Sequence, residues 1–238
     1  MGQKNAPEEY VRILRVMEKT RLVLASNSPR RRELLLLGGW EYDTRPAHVQ
    51  ESPRQGEEPA AYVLRLAEEK ARACAMSAGK GEIILAADTT VVVDGDILGK
   101  PQDAAEAAVM LRRLRGRIHQ VCTGLAILDT HTGAYFPDLC VTDVPMREYS
   151  EEELLAYAGS GDPLDKAGGY AIQDPFFHPV DSLQGCHASV MGLPLCHLGR
   201  SLEKAGFSPR KDVAAACQAA LQYECPIHAR VWNGEEIG

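Results

Sequence analysis

What the sequence lacks narrows its class first. No apolar run approaches the roughly 20 residues needed to span a membrane, so no membrane partner is expected. The opening Met1-Gly2-Gln3-Lys4-Asn5-Ala6 has no apolar h-region, which argues against a secretory signal. Ala6 stands where a myristoylation site wants Ser or Thr. No block of like charge suggests disorder, and there is no internal repeat or low-complexity tract. Basic residues are outnumbered, 26 against 33, for a formal net charge of -7. Nucleic acid binds largely through phosphate neutralisation, so no nucleic-acid polymer is expected as a partner. An anionic substrate would need a local cluster of cations or a metal. The seven cysteines are odd in number and contain no C-x₂₋₄-C pair. That speaks against a disulfide framework, and Cys217, Cys225 and His228 make a poor zinc set. Cys186-His187 and Cys196-His197 are adjacent pairs, which point apart in a strand and so do not form a thiol nucleophile with its base. A reduced, cytoplasmic setting is expected.

What is there suffices for a sizeable core: 238 residues, 45% of them apolar, enough for one large domain or two lobes sharing a cleft. Residues 7–19 read as a helix. The run 21–25 reads as a buried strand. Ser28-Pro29 starts a helix through Leu37, since Ser caps well and Pro suits the first helical position, and Gly38-Gly39 ends it. Residues 40–57 are strand and loop, 59–78 a long helix, and 83–93 a strand that turns at Asp94-Gly95. Asp103 and Glu106 open another helix, as do Ser150 and Glu153. Residues 119–129 and 134–147 pair as strands. A glycine-rich stretch, 159–169, leads to Tyr170–Gln173, and Ser208-Pro209 opens a last helix. Interleaved helices and strands predict an α/β or α+β sheet protein.

Several residues carry chemistry. Arg30, Arg31 and Arg32 crowd the first turn of a helix, where each cation costs about 0.3–1 kcal/mol against the dipole. With the helix-end amides they suit a docked polyphosphate; they could equally reach surface carboxylates. On the 59–78 helix, Lys70 alone among the charges projects into the apolar stripe of Val63, Leu66, Ala67 and Cys74. It should meet an acid or a phosphate, or snorkel from the stripe's edge. Asp88 interrupts a strand, where Asp is disfavoured. It could hold a metal, act as general base, or cap backbone amides. The hairpin after Asp88 could return Lys100 to its side, or leave it on the surface. In Asp165–Gln173, Gly168 and Gly169 allow close approach to a ligand, and Gln173 can donate and accept toward a base edge; a tight turn into a strand is the plainer alternative.

These features, in this order, resemble the Maf family of nucleotide pyrophosphatases. The resemblance covers roughly residues 21–200: LASNSPRR at 24–31, AADTTVVVDGDILGKPQD at 86–103, DKAGGYAIQ at 165–173 and MGLPL at 191–195. It implies an elongated mixed β-sheet in two lobes with flanking helices, like that of the inosine-triphosphate pyrophosphatases, with the active site in the central cleft. It also implies a homodimer and cleavage of nucleoside triphosphates between the α- and β-phosphates. By the same resemblance Asp88 is the proton acceptor, and Ser26, Arg30, Arg31, Lys70 and Lys100 hold the phosphates. Glu51, in VQES, binds Mg²⁺ or Mn²⁺ with Asp88. Arg30, Thr89 and Gln173 match the branch that acts on dTTP and UTP, with modified pyrimidine nucleotides as further candidates, rather than the methylated-GTP branch. A methylated-GTP pyrophosphatase, or a nucleotide-binding regulator of cell division with weak hydrolysis, is the alternative. Two departures stand out: Asp174-Pro175-Phe176-Phe177-His178 where the family has Gly-x-Gly-Ala, and Arg115 where it has Ser. The expected layout is an N-terminal helical extension (1–20), the pyrophosphatase domain (21–204) and a C-terminal helical extension (205–238).

Overall fold

The computed structural model describes residues 21–79 and 81–238; the helix expected at 7–19 lies outside them. Strand β1 (Arg21–Leu24) leads into helix α1 (Pro29–Leu37), and β2 (Tyr42–Thr44) follows after Gly38-Gly39. Helix α2 (Pro59–Ala75) precedes the long strand β3 (Glu82–Val93), which turns into β4 (Asp96–Leu98). Helix α3 (Ala104–Leu114), strands β5 (Ile118–Asp129) and β6 (Tyr135–Pro145) and helix α4 (Glu151–Ala158) come next. After two 3₁₀ turns come α5 (His187–Val190), α6 (Leu195–Lys204), α7 (Val213–Leu221) and α8 (His228–Trp232).

Local chemistry accounts for several boundaries. Ser28, Asp103 and Ser150 each accept a hydrogen bond from the amide three residues on, and Ser150 with Glu153 completes a capping box. The β3–β4 turn is tight because Asp94 and Gly95 both take positive φ. Two expectations fail. Helix α2 stops at Ala75, not residue 78. The last stretch does not start at Ser208-Pro209, because Arg210 N donates to Gly38 O and holds the backbone there outside a helix. Asp212 supplies the cap instead, accepting from Ala215 N at 3.0 Å, and α7 begins at Val213.

The six strands form one mixed α/β sheet in the order β2-β1-β3-β5-β6, with β4 on the far end of β3. β2, β1 and β3 are parallel; β3, β5 and β6 are antiparallel. Side chains alternate between faces. Leu22, Leu24, Ile83 and Leu85 enter a core with α1, α6, α7 and α8. Val23, Ile84 and Ala86 face α2 instead. β3 and β5, each of 12 residues, outrun that core. Their far halves carry Val91, Val93 and Val121 into another core with α3 and α4. Between the two cores lies the middle of β3, where Asp88 pairs with Gly124 of β5. A Cβ on Gly124 would sit 2.7 Å from the Val63 backbone. Glycine there lets α2 lie directly on the sheet, which brings Lys70, two turns further along the same face, down to Asp88.

His119 of β5 is buried against Tyr170, with Nε2 2.8 Å from the tyrosine hydroxyl. Burial pushes its pKa down to about 4, with Asp143 opposing. A depressed histidine contributes stability above its unfolded value near 6.5, lost as pH falls toward 4. Urea denaturation should therefore show about 2 kcal/mol less stability at pH 5 than at pH 7.5 from this group alone. His119→Gln should flatten that dependence; an unchanged slope would remove His119 as its source.

Candidate active site

The cleft at the middle of β3 opens into a cavity of about 420 Å³, the size of a small-molecule site. Ser26, Arg30, Arg31, Glu51, Lys70, Thr89, Lys100 and Gln173 all line it. Eight residues chosen from sequence, drawn from loops and elements between Ser26 and Gln173, thus share one concave surface. The ninth, Asp88, lies just behind. Its carboxylate Oδ1 is 2.6 Å from Lys70 Nζ, and the same ammonium is 2.6 Å from Glu51 Oε1. Lys70 is the inward charge that its place on the α2 stripe predicts, and it meets two acids rather than snorkelling outward.

These carboxylates are held differently. Burial raises the pKa of Asp88 above the ordinary carboxylate range, although Lys70 and Arg31 pull against it. Burial also acts on Glu51, but there the hydrogen bond and charge of Lys70, with Lys100 and Arg31, win and hold its pKa below the usual value. Asp88 is thus the better base of the two and Glu51 the more persistent anion. Both are oxygen donors of the kind a hard divalent cation takes, and such ions commonly use one or two carboxylates plus phosphate oxygens and water. Among the described residues no cluster of three or more acids, histidines or cysteines offers a fuller cage. The two carboxylates, which the Lys70 ammonium bridges, fit an ion that shares its coordination with a phosphate.

The start of α1 works less through its backbone than the sequence suggests. Ser28 N donates to Ser26 Oγ, Arg31 N to Ser28 Oγ and Arg32 N to Ser28 O, while Pro29 has no N–H. Among the first-turn amides this leaves Arg30 N for an anion, which otherwise meets side chains here. Of the three arginines, Arg30 and Arg31 line the cavity, whereas Arg32 is exposed outside it. Arg30 pairs with Asp165 at 3.0 Å. Arg31 donates through Nε to Gly192 O at 2.9 Å and through one terminal nitrogen to Thr89 Oγ1 at 3.2 Å. Lys100 follows Leu98, the register partner of Val91, so the hairpin returns it toward Asp88 at the middle of β3.

The segment 165–173 forms another wall. It is not a strand: a 3₁₀ turn with Gly168 at φ 69° carries it past β3, where a Cβ would meet Val91. Tyr170, Ala171, Ile172 and Met191 make much of the remaining lining apolar, with Gln173 among them. Directly after Gln173, the departing stretch is braced by Asp174 Oδ1, which accepts from the amides of Phe176 and Phe177. Phe177 stacks on Tyr157 with ring centroids 4.3 Å apart, while Phe176 is exposed.

Sequence reasoning passed over Lys166, Asp165 and Thr123. Lys166 is buried at the cavity wall and bonds Asp162 and Asp165, so it organises the Arg30 partner rather than standing free. A lysine between Asp165 and a pair of glycines was the available signal. Thr123 is fully buried on β5 beside Thr89; a threonine is at home in a strand and gives no signal of its own.

Residues 21–205 match the family described as Maf-like protein. A dTTP/UTP pyrophosphatase of Citrifermentans bemidjiense is 45% identical over 190 residues, covering 80% of this chain and 98% of that protein. Another dTTP/UTP pyrophosphatase, from Thermomicrobium roseum, is 42% identical over 219 residues, covering 90% of this chain and 99% of that protein. Among solved structures, a HAM1 protein from Coxiella burnetii aligns with a TM-score of 0.45 at 15% identity, over 86% of this chain and 98% of that one.

Proposed function

The chain belongs to the Maf-like family, and from that premise we propose that it hydrolyses dTTP and UTP to the monophosphate and pyrophosphate. The observation that carries this reading is the convergence of Lys70, Glu51 and Asp88 on the cavity that Arg30, Arg31 and Lys100 also line. Ser26 and Thr89 add hydroxyls to the lining beside those cations. Gln173 and the apolar wall suit a base, with the amide reading its edge.

In this mechanism a water attacks a phosphorus of the triphosphate, its oxygen forming the new P–O bond while the α–β bridge breaks. The water's proton passes to Asp88, whose raised pKa suits a general base. The pyrophosphate leaves with the negative charge, which Arg31, Lys100 and Lys70 stabilise at close range. Lys70 also keeps Asp88 ionised until the proton arrives. A divalent ion held by Asp88 and Glu51 would supply charge neutralisation at the phosphate oxygens. The same reading includes a homodimer and a cytoplasmic setting, to which the free thiols of all seven cysteines are suited. Among the described residues no helix is long and apolar enough to cross a membrane.

A nucleotide panel with Mg²⁺ or Mn²⁺ tests the reading. Pyrophosphate should appear from dTTP and UTP, well ahead of 7-methyl-GTP. Release of inorganic phosphate, or no turnover of either pyrimidine nucleotide, would overturn it.

A further inference from the structure

A chain of hydroxyls runs from the cavity into the sheet. Thr123 Oγ1 donates to Ser189 O at 2.9 Å. It also lies 3.0 Å from Thr89 Oγ1. A hydroxyl has a single proton, and a carbonyl can only accept. The Thr123 proton is therefore spent on Ser189 O, and Thr123 must accept from Thr89. The Thr89 proton is committed in turn, so toward Arg31, 3.2 Å away, Thr89 presents only lone pairs. That is what a guanidinium requires. The direction of every bond in the chain is fixed by the carbonyl at its inner end.

We infer that Thr123 is a positioning residue for Arg31, acting through Thr89. Resting on the phosphate-cradle reading above, this changes the part Thr89 plays. Its hydroxyl has no proton left for a phosphate oxygen; it aims the arginine instead. Arg31 is held at two points, Gly192 O and Thr89 Oγ1, which fix the plane of the guanidinium and leave its other terminal nitrogen to face an anion. Ser189 belongs to α5 and Gly192 follows it. The relay and the Nε contact thus tie the same short segment to β3, β5 and α1. Thr123 is wholly buried and does not line the cavity, so its influence on phosphates travels through Thr89 or through the Ser189–Gly192 segment that it also holds, and the double variant below separates the two.

Thr123→Val keeps the shape and removes the hydroxyl. It frees Thr89 to turn, so Arg31 loses its aim. We expect kcat/KM for dTTP to fall about tenfold or more. Thr123→Ser restores the proton and should recover most of it. Thr89→Val should cause a similar loss, and the Thr89→Val/Thr123→Val double variant should be no worse than Thr89→Val, because both act on one chain. A thermal melt accompanies each variant, and the serine variant provides the folded control. Full activity in Thr123→Val, no rescue by serine, or multiplicative losses in the double variant would overturn the relay. Affinity for inorganic tripolyphosphate, read by calorimetry, should follow the same pattern without turnover. A wild-type chain that binds tripolyphosphate in this pattern but hydrolyses nothing would sink the enzyme reading and leave the relay intact.

Discussion

Asp88→Asn should lower kcat for dTTP by about a thousandfold, within the range typical of a lost general base, while the melting temperature stays near wild type. The two halves of this expectation come from one fact: the Asp88 carboxylate is buried strongly enough that its pKa is raised despite Lys70 2.6 Å away. A carboxylate with a raised folded pKa stabilises the fold only in its protonated form. That contribution is present below the unfolded value near 3.8 and is lost as pH rises through the folded one. At neutral pH its ionised form is a net strain on the fold, tolerated for chemistry. Asparagine has the same shape and no charge, and Lys70 retains Glu51. Stopped turnover with a retained fold is the signature of a catalytic rather than a structural aspartate. A variant that keeps wild-type kcat would remove Asp88 from the reaction; one that unfolds would make it structural.

Lys70→Met should damage both properties. Methionine fills the stem's space on the α2 stripe but leaves Asp88 buried without its cation. Removing one partner of a buried pair costs about 3 kcal/mol, and the side chains of Lys70 and Asp88 are each only 10% exposed. Lys70 is also the leading influence that lowers the pKa of Asp88, so without it that pKa climbs further. The acidic limb of kcat/KM should move to higher pH, and activity at neutral pH should fall at least about a hundredfold. Adding Asp88→Asn to Lys70→Met should return part of the lost stability, since no charge is then stranded. pH–rate profiles and urea titrations of the single and double variants check this. A Lys70→Met profile with an unmoved acidic limb would separate Lys70 from Asp88.

The parts of this site that sequence made legible were those where a residue contradicts its surroundings. Asp88 interrupts a strand, Lys70 breaks an apolar stripe, and arginines oppose a helix dipole. Each conflict needs a partner, and the fold supplies it. Helix caps at Ser28, Asp103 and Ser150 were legible for the same local reason, since the cap and its amide lie three residues apart. What stayed hidden depends on three-dimensional proximity. Glu51 sits on a loop with no periodicity to aim it, and only the family resemblance singled it out. The Ser28 amide looked free because nothing local reveals that Ser26 turns back to take it. The last long helix was started too early because Gly38 O, far away in sequence, holds Arg210. Thr123 conflicts with nothing around it; its part is visible only when hydroxyl protons are counted along a chain that joins β5 to α5.

The central claim is that a triphosphate occupies the cavity beside Asp88, and a crystal structure of the chain with α,β-imido-dTTP and Mg²⁺ tests it most directly. The phosphates should lie against Arg31, Lys70 and Lys100, with the α-phosphorus nearest Asp88 and the thymine against Gln173. A nucleotide bound elsewhere on the surface, or one with its base among the cations and its phosphates in solvent, would contradict it.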